Sequence, residues 1–244
     1  VFTPYLTGIM DVSGLPGVET VIICKSPQTG GSECAHNIVG YCIDRLPGPV
    51  MYVFPDELTA RENAKDRIIP MIEASPRLRQ YMTGYGDDAS SLRINLLYMP
   101  IYLGWSGSVS RLGNKPIRIL ILDELDKYKN PKNEASSESL AEKRATTWRT
   151  RRKVVKISTP TTEDGPIWKA LTKEAGARFD FWVRCPHCGF FQHMDFERIA
   201  WPGKDEEKSP DAETVLAKRL AYYACEYCGA VWDDGDRDRA VRGG

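Results

Sequence analysis

Thr20-Val21-Ile22-Ile23-Cys24-Lys25-Ser26-Pro27-Gln28-Thr29-Gly30-Gly31-Ser32 is the stretch on which the fold turns. Its first five residues are an apolar, β-branched run with the composition of a buried strand. A glycine-rich loop follows, then a helix expected from about Ser32. A strand feeding a helix through such a loop aims backbone N–H groups and a helix N-terminus at one point, the arrangement that cradles phosphates. The usual signature is G-x-x-x-x-G-K-[ST]. Gly30 keeps its second glycine and Ser32 its hydroxyl, but Gly31 stands at the lysine position and Lys25 at the first glycine. The cation has moved to the other end of the loop, from where a long side chain could curl over the β- and γ-phosphates. Taken alone, the loop reads equally well as a strand–Gly-Gly–helix turn that binds nothing.

Outward from this loop, β-rich runs alternate with helical stretches, the pattern of a parallel sheet covered by helices. Val50 to Phe54 reads as the next strand, Asp56 to Glu73 as helix, and Leu92 to Leu103 as one or two strands. Ile117 to Leu122 is almost continuously apolar, as a central parallel strand should be. A helix over roughly Ser139 to Thr150 precedes a strand at Lys153 to Ile157. Asn130 to Ser139 and Pro202 to Asp211 read as mobile, solvated loops. The expected fold class is α/β: a P-loop, RecA-like, mostly parallel sheet with helices on both faces, plus a small β-rich, zinc-ribbon-like appendage. The expected division is 1–177 for the P-loop domain and 178–244 for the appendage.

Ile119-Leu120-Ile121-Leu122-Asp123-Glu124 ends an apolar strand in two adjacent carboxylates. At such a strand end an Asp holds Mg²⁺, joined there by the loop hydroxyl of Ser32, and a neighbouring Glu can polarise the attacking water. A strand ending in an ordinary charged turn would look the same, but its spacing from the glycine loop favours function. Ser158-Thr159-Pro160-Thr161 closes another β-run with small hydroxyls, which suits a γ-phosphate-sensing coupling motif and equally a capped turn. Tyr5 precedes the loop and could stack on an adenine, although a plain core or surface tyrosine is the simpler reading.

The seven cysteines are unevenly placed: Cys24, Cys34 and Cys42 are scattered, while Cys185/Cys188 and Cys225/Cys228 form two C-x-x-C pairs. Each pair presents two thiolates from one tight turn, and two such turns complete a tetrahedral site suited to Zn²⁺. Closed by four cysteines, that site is expected to be structural. His187, inside the first pair, reads as a neighbour of the site, and His36 and His193 stand in no motif. An odd cysteine count without a disulfide framework points to a reducing compartment.

Lys and Arg number 33 and Asp and Glu 33, so composition gives no sign of a polyanionic partner. No apolar run approaches a bilayer span and no signal peptide opens the chain. Because it begins at Val1 rather than Met, it reads as part of something longer.

The order of these motifs resembles the large terminase subunit of tailed phages, specifically the lambda-like GpA group. The resemblance rests on Thr3-Pro4-Tyr5, the Lys-first loop from Lys25 to Ser32, Tyr52 to Pro55 with Glu62 to Ile68, Pro116 to Tyr128, Ser158 to Thr161, and both cysteine knuckles. It implies an ATP-driven motor that threads double-stranded DNA into a procapsid in the host cell cytoplasm. It also implies Mg²⁺-dependent hydrolysis, a portal protein and a small terminase subunit as partners, and a ring of subunits. The resemblance also implies a C-terminal nuclease domain, for which no room is expected after Gly244, so nuclease activity is not expected of this chain.

Lys143, Arg144, Arg149, Arg151, Arg152, Lys153 and Lys156 form the densest basic run, a solvated helix face or a set of contacts to a phosphate backbone. Arg67, Arg77, Arg79, Arg144 and Arg149 are candidates for an arginine finger. Two other readings stay open: a helicase-like or other nucleic-acid-stimulated ATPase, and a zinc-ribbon DNA-binding or scaffold module whose loop no longer works.

Overall fold

The computed structural model describes residues 3–244 apart from 86, 87, 91, 114, 133 and 205–208. Two compact units result: Leu6–Ala177, and Arg178–Gly244 together with the N-terminal residues up to Tyr5.

In the larger unit the chain runs through α1 (Thr7–Gly14), β1 (Thr20–Cys24), α2 (Gly31–Arg45) and β2 (Val50–Phe54). α3 (Glu57–Asn63) continues through a π-turn (Ala64–Ile68) into α4 (Ile69–Ala74), followed by α5 (Pro76–Arg79). Next come β3 (Ala89–Ser90), β4 (Arg93–Asn95), β5 (Pro100–Trp105), α6 (Val109–Gly113) and β6 (Ile119–Asp123). α7 (Ser137–Ala145), β7 (Lys153–Ser158) and α8 (Pro166–Lys169) complete it. The strands form one sheet in the order β1-β7-β6-β2-β5-β4-β3. The first five are parallel, and β4 and β3 run antiparallel at the edge.

β2 and β6 are buried at every residue, which explains their unbroken apolar sequences: helices cover both faces. On one face Met51, Val53, Leu120, Leu122 and Val154 pack with Leu112 of α6, Leu140 and Ala141 of α7 and Ile167 of α8. On the other lies α2, whose buried stripe of Cys34, Ala35, Ile38, Val39 and Cys42 recurs at helical spacing. There the His36 ring sits 5.7 Å from that of Tyr52. Truncating one such aliphatic core side chain costs about 2–5 kcal/mol.

Strand β7 separates β1 from β6, with Cys24 opposite Ser158 and Asp123 opposite Ile157. The glycine loop, the acidic pair and the hydroxyl motif thus leave three adjacent parallel strands at the same C-terminal edge, where open α/β sheets bind ligands.

Residue 133 of the segment expected as a solvated loop at 130–139 lies outside the described residues, while Asn130, Ser136 and Ser137 are held by specific bonds. Ser136 caps α7 by accepting from Ser139 N at 3.2 Å, and Ser137 is fully buried. Ser137 Oγ accepts from Gly107 N and donates to Lys129 O, both at 3.0 Å, and Asn130 accepts from Ser137 N at 3.2 Å. Backbone groups carried inward need such partners, and the serines and asparagine that suggested a loop supply them. α7 then ends at Ala145, short of the expected Thr150, in a 3-10 turn over Thr146–Arg151. Of the second expected loop, 205–208 lie outside the described residues. Asp211 caps the helix that follows it, accepting from Thr214 N at 2.7 Å.

The smaller unit pairs β8 (Trp182–Arg184) with β9 (Phe191–His193). β10 (Ile199–Ala200) is followed by α9 (Ala212–Ala217), β11 (Tyr222–Ala224), β12 (Val231–Trp232) and α10 (Asp234–Arg242). Its three-stranded sheet has the order β10-β11-β12. Its core is Val183, Cys185, Tyr223, Cys225, Trp232 and Ala240, too few side chains to hold so small a unit without a staple. Among the described residues, no helix is long and apolar enough to cross a membrane.

Candidate nucleotide site and metal centre

The phosphate-type loop runs from Lys25 to Ser32 between β1 and α2. Gln28 and Gly30 adopt left-handed backbone at φ 60° and 80°, and Thr29 Oγ1 closes the turn on Ser26 O at 2.8 Å. A non-glycine residue in that region is strained, and such strain gathers at ligand loops. Lys25 folds back across the loop. A Cβ built on Gly31 would fall 2.2 Å from Lys25 Cδ and 2.6 Å from its Cε, so the side chain occupies the space that glycine leaves. Its Nζ ends 3.2 Å from Glu124 Oε1 and 3.4 Å from Thr159 Oγ1. The displaced cation therefore reaches the acidic pair and the hydroxyl motif from the far end of the loop.

Asp123 is buried at the end of β6. Tyr52 OH donates to its Oδ2 at 3.3 Å with the Ser32 hydroxyl close by, while Oδ1 is buried without a partner among the described residues. Burial pushes the Asp123 carboxyl above its usual range against the pull of the Ser32 hydroxyl, and the neighbouring Glu124 charge adds to the rise. An orphaned carboxylate oxygen beside a serine hydroxyl is the donor set a hard cation takes, so the residues present fit Mg²⁺.

Glu124 takes left-handed backbone at φ 54°, which turns its side chain to Lys25 on one oxygen and to Lys127 on the other, at 3.0 Å. Burial works to raise its carboxyl, but the Lys127 bond and the Lys25 charge outweigh it and hold it below the usual range.

Sequence reasoning missed Asp126. Its N–H donates to Ser158 Oγ at 3.1 Å. Its carboxylate accepts from Thr161 N at 2.9 Å and Thr161 Oγ1 at 3.1 Å, and on its other oxygen from Ile167 N at 2.9 Å. One residue thus ties the turn after the acidic pair to the hydroxyl motif and the start of α8. An Asp two positions beyond Asp-Glu carries no distinguishing mark in sequence.

The basic run divides. Lys156 is buried against Glu138, Glu142 and Glu174 at 2.8, 3.1 and 2.9 Å, which makes it an internal ion-pair hub and neither a solvated nor a DNA-facing cation. Arg152 pairs with Glu19 at 2.9 Å, and Lys153 donates to Leu15 O and Val18 O. Among the candidate fingers, Arg77 is engaged by Asp44 at 2.7 Å and Arg67 by Glu33 at 3.6 Å. Arg144 accepts from Ile117 N through its carbonyl, at the end of β6 opposite Asp123, which removes it as a finger on its own chain's site. Tyr5 groups with the smaller unit, its ring edge-on to Phe181 at 5.9 Å.

In the smaller unit the two cysteine turns are built alike. Cys185 N bonds Phe190 O and Gly189 N bonds Cys185 O, both at 2.9 Å. Cys225 N bonds Ala230 O and Gly229 N bonds Cys225 O in the same pattern. The four Sγ atoms all lie within 4.8 Å of one another, with Cys185–Cys228 at 4.0 Å and Cys188–Cys225 at 3.8 Å. Four sulfurs at about 2.3 Å from a tetrahedral Zn²⁺ stand about 3.8 Å apart, so the cluster fits zinc and is far too open for a disulfide. His187 Nε2 lies 3.2 Å from Asp236 of α10, beside the knuckle and not in it.

The sequence profile described as the phage terminase large subunit gpA ATPase domain matches residues 1–244. The chain belongs to that family. It is 23% identical to the terminase large subunit of Enterobacteria phage P21 over 97% of this chain and 37% of that protein. With the terminase large subunit of Escherichia phage lambda it shares 24% identity over 93% of this chain and 35% of that protein. The terminase-family chain thus spans little more than a third of these curated relatives. Among solved structures it is similar to the large terminase ATPase domain of Thermus phage P74-26, at TM-score 0.48 and 12% identity over 78% of this chain and 79% of that one. A point mutant of that same domain gives TM-score 0.45 and 15% identity over 72% of each chain.

Proposed function

We propose that this terminase-family chain is an ATP-hydrolysing motor domain that drives double-stranded viral DNA into a procapsid. The ATPase domain would be 1–177 and the zinc-bearing region 178–244. The observation that supports the reading is the course of Lys25 over Gly31 to Glu124, which would supply a cation for the phosphates to a loop that lacks one at the usual place. It also argues against a scaffold with a dead loop.

The loop from Ser26 to Ser32 would hold the phosphates through backbone N–H groups and the start of α2. Lys25 would neutralise the β- and γ-oxygens. Ser32 and Asp123 would hold Mg²⁺, which would supply positive charge against that of the phosphates. Lys25 and Lys127 each pair with one oxygen of Glu124. A γ-phosphate drawing Lys25 away would free Glu124 Oε1 to orient water and accept its proton. Thr159, on the same Nζ, would sense that exchange, and Ser158 and Asp126 would pass it toward α8. Zn²⁺ held by Cys185, Cys188, Cys225 and Cys228 would staple the smaller unit. Duplex DNA, a portal protein and a small terminase subunit are the partners this reading implies, in a subunit ring in the host cytoplasm.

The test measures binding of a fluorescent ATP analogue and hydrolysis in parallel. Lys25→Ala should lose binding and turnover together. Glu124→Gln should retain Mg²⁺–ATP while turnover in the assembled motor falls by about 10²-fold or more. Parental binding by Lys25→Ala, or parental turnover by Glu124→Gln, would overturn the assignment.

A further inference from the structure

The charges of this chain balance overall, yet its cations are not evenly neutralised. Arg152 and Lys156 are paired with carboxylates. A few residues away, Lys115, Pro116, Lys143, Arg144 and Thr147 line a cavity of about 210 Å³. Among the described residues, none of its three cations has a carboxylate within 4.0 Å. Lys115 Nζ stands 5.0 Å above the Tyr102 ring, and Arg144 Nε is buried with no hydrogen-bond partner. A buried guanidinium N–H left unpaired costs free energy unless a ligand accepts it. Every polar side chain at this cavity can donate and none of them is an anion.

The cavity lies away from the nucleotide loop. Lys115 and Pro116 precede β6, the Arg144 carbonyl is bound to Ile117 N, and Asp123 ends that strand roughly 20 Å of extended chain farther on. Next in sequence to Thr147, the Trp148 ring has Arg118 and Arg151 at 5.7 and 5.6 Å, with Arg118 also donating to Pro47 O at 2.7 Å.

We propose that this cavity is a second phosphate-binding site, separate from the nucleotide loop, that takes a backbone phosphate of duplex DNA. A tetrahedral oxyanion suits the volume and the donors: Arg144 supplies directed N–H groups, Lys115 and Lys143 supply charge, and Thr147 a hydroxyl. The choice of duplex as the source rests on the motor reading; the phosphate chemistry does not. Such contacts position the protein without reading sequence.

Lys115 and Lys143 are exposed, so Lys115→Gln combined with Lys143→Gln should leave the fold intact, as checked by an unchanged Tm. The whole chain is titrated with a mixed-sequence duplex over a range of salt. The double variant should bind several-fold more weakly at low salt, with a log K against log salt slope shallower by about 1. Arg144→Lys, which keeps the charge but loses the Nε donor, should weaken binding with little change of slope. ATP-analogue affinity, read separately, should stay parental in all variants, so failure here is distinguishable from failure of the nucleotide site. Parental duplex affinity and slope in the double variant would overturn the proposal. So would a parent chain that binds no duplex at low salt. A third arm titrates inorganic phosphate alone: loss of that binding with duplex affinity kept would mark a free-anion site and overturn the duplex assignment.

Discussion

Lys25 Nζ and Glu124 Oε1 stand 3.2 Å apart across 99 residues of sequence, and Gly31 is the residue that lets them meet. A Cβ at position 31 would take the space that holds Lys25 Cδ and Cε. Gly31→Ala should therefore push Lys25 out of its path and weaken ATP-analogue binding by about tenfold or more, the factor that about 1.4 kcal/mol of lost contact brings. Gly31→Lys, which restores the ordinary pattern on paper, should not rescue Lys25→Ala binding fully, because the rest of this loop is built around a lysine arriving from the other side. Parental affinity in Gly31→Ala would show that Lys25 has another route.

At Asp123 the proposed Mg²⁺-binding role would oppose stability. Its carboxyl is held above the usual range, mainly by burial, so the folded chain favours the protonated form more than the unfolded chain does. The destabilisation begins as pH rises through the unfolded value near 3.8 and is full above the raised folded value. Asp123→Asn should raise the Tm of the metal-free chain at neutral pH while removing the Mg²⁺-dependent part of nucleotide binding. The Tm gain should vanish at pH below the usual carboxylate range, and a gain that persists there would contradict this account.

Glu124 has the opposite sign. The Lys127 and Lys25 interactions hold its carboxyl below the usual range despite burial. Its ion pairs therefore stabilise the fold above the unfolded value and are lost only as pH falls through the depressed folded one. Acid titration of Glu124→Gln by circular dichroism should show less loss of stability below pH about 4 than the parent.

Asp126 is a positioning residue. Asp126→Ala removes its three carboxylate-accepted bonds and should cost about 2 kcal/mol or more of stability. Asp126→Asn keeps the size but turns an NH₂ group toward donors. It should slow turnover while leaving ATP-analogue affinity near parental, because neither loop nor acidic pair is touched directly. Equal losses in affinity and turnover would indicate a general packing role.

The cysteine cluster predicts about one zinc per chain by metal analysis of protein purified without added zinc. Cys188→Ser should release the metal and raise hydrogen exchange from Arg178 onward while the sheet of the larger unit stays protected. Two disulfides, or no metal, would end the zinc assignment.

Much of the larger unit was legible because local rules act on short stretches. The apolar runs at Thr20–Cys24 and Val50–Phe54 became β1 and β2 residue for residue; β2 is buried throughout as its sequence demands, while β1, expected as a buried strand, forms the sheet edge and buries only Ile23. The glycine loop, the Asp-Glu pair and the two C-x-x-C turns were visible because each is a chemical requirement written within a few residues. What sequence could not show was which distant groups those residues would meet. Only the placement of β7 between β1 and β6 brings Thr159 onto Lys25 and Ser158 onto the turn of Asp126. Lys156 looks like its basic neighbours in sequence, and its fate was decided by the pleat. Alternation along β7 points it at α7, where Glu138 and Glu142 wait one helical turn apart. The same folding left Lys115, Lys143 and Arg144 without carboxylate partners among the described residues, because pairing depends on which surfaces tertiary packing brings within a few ångströms, and a net charge of zero records nothing of that.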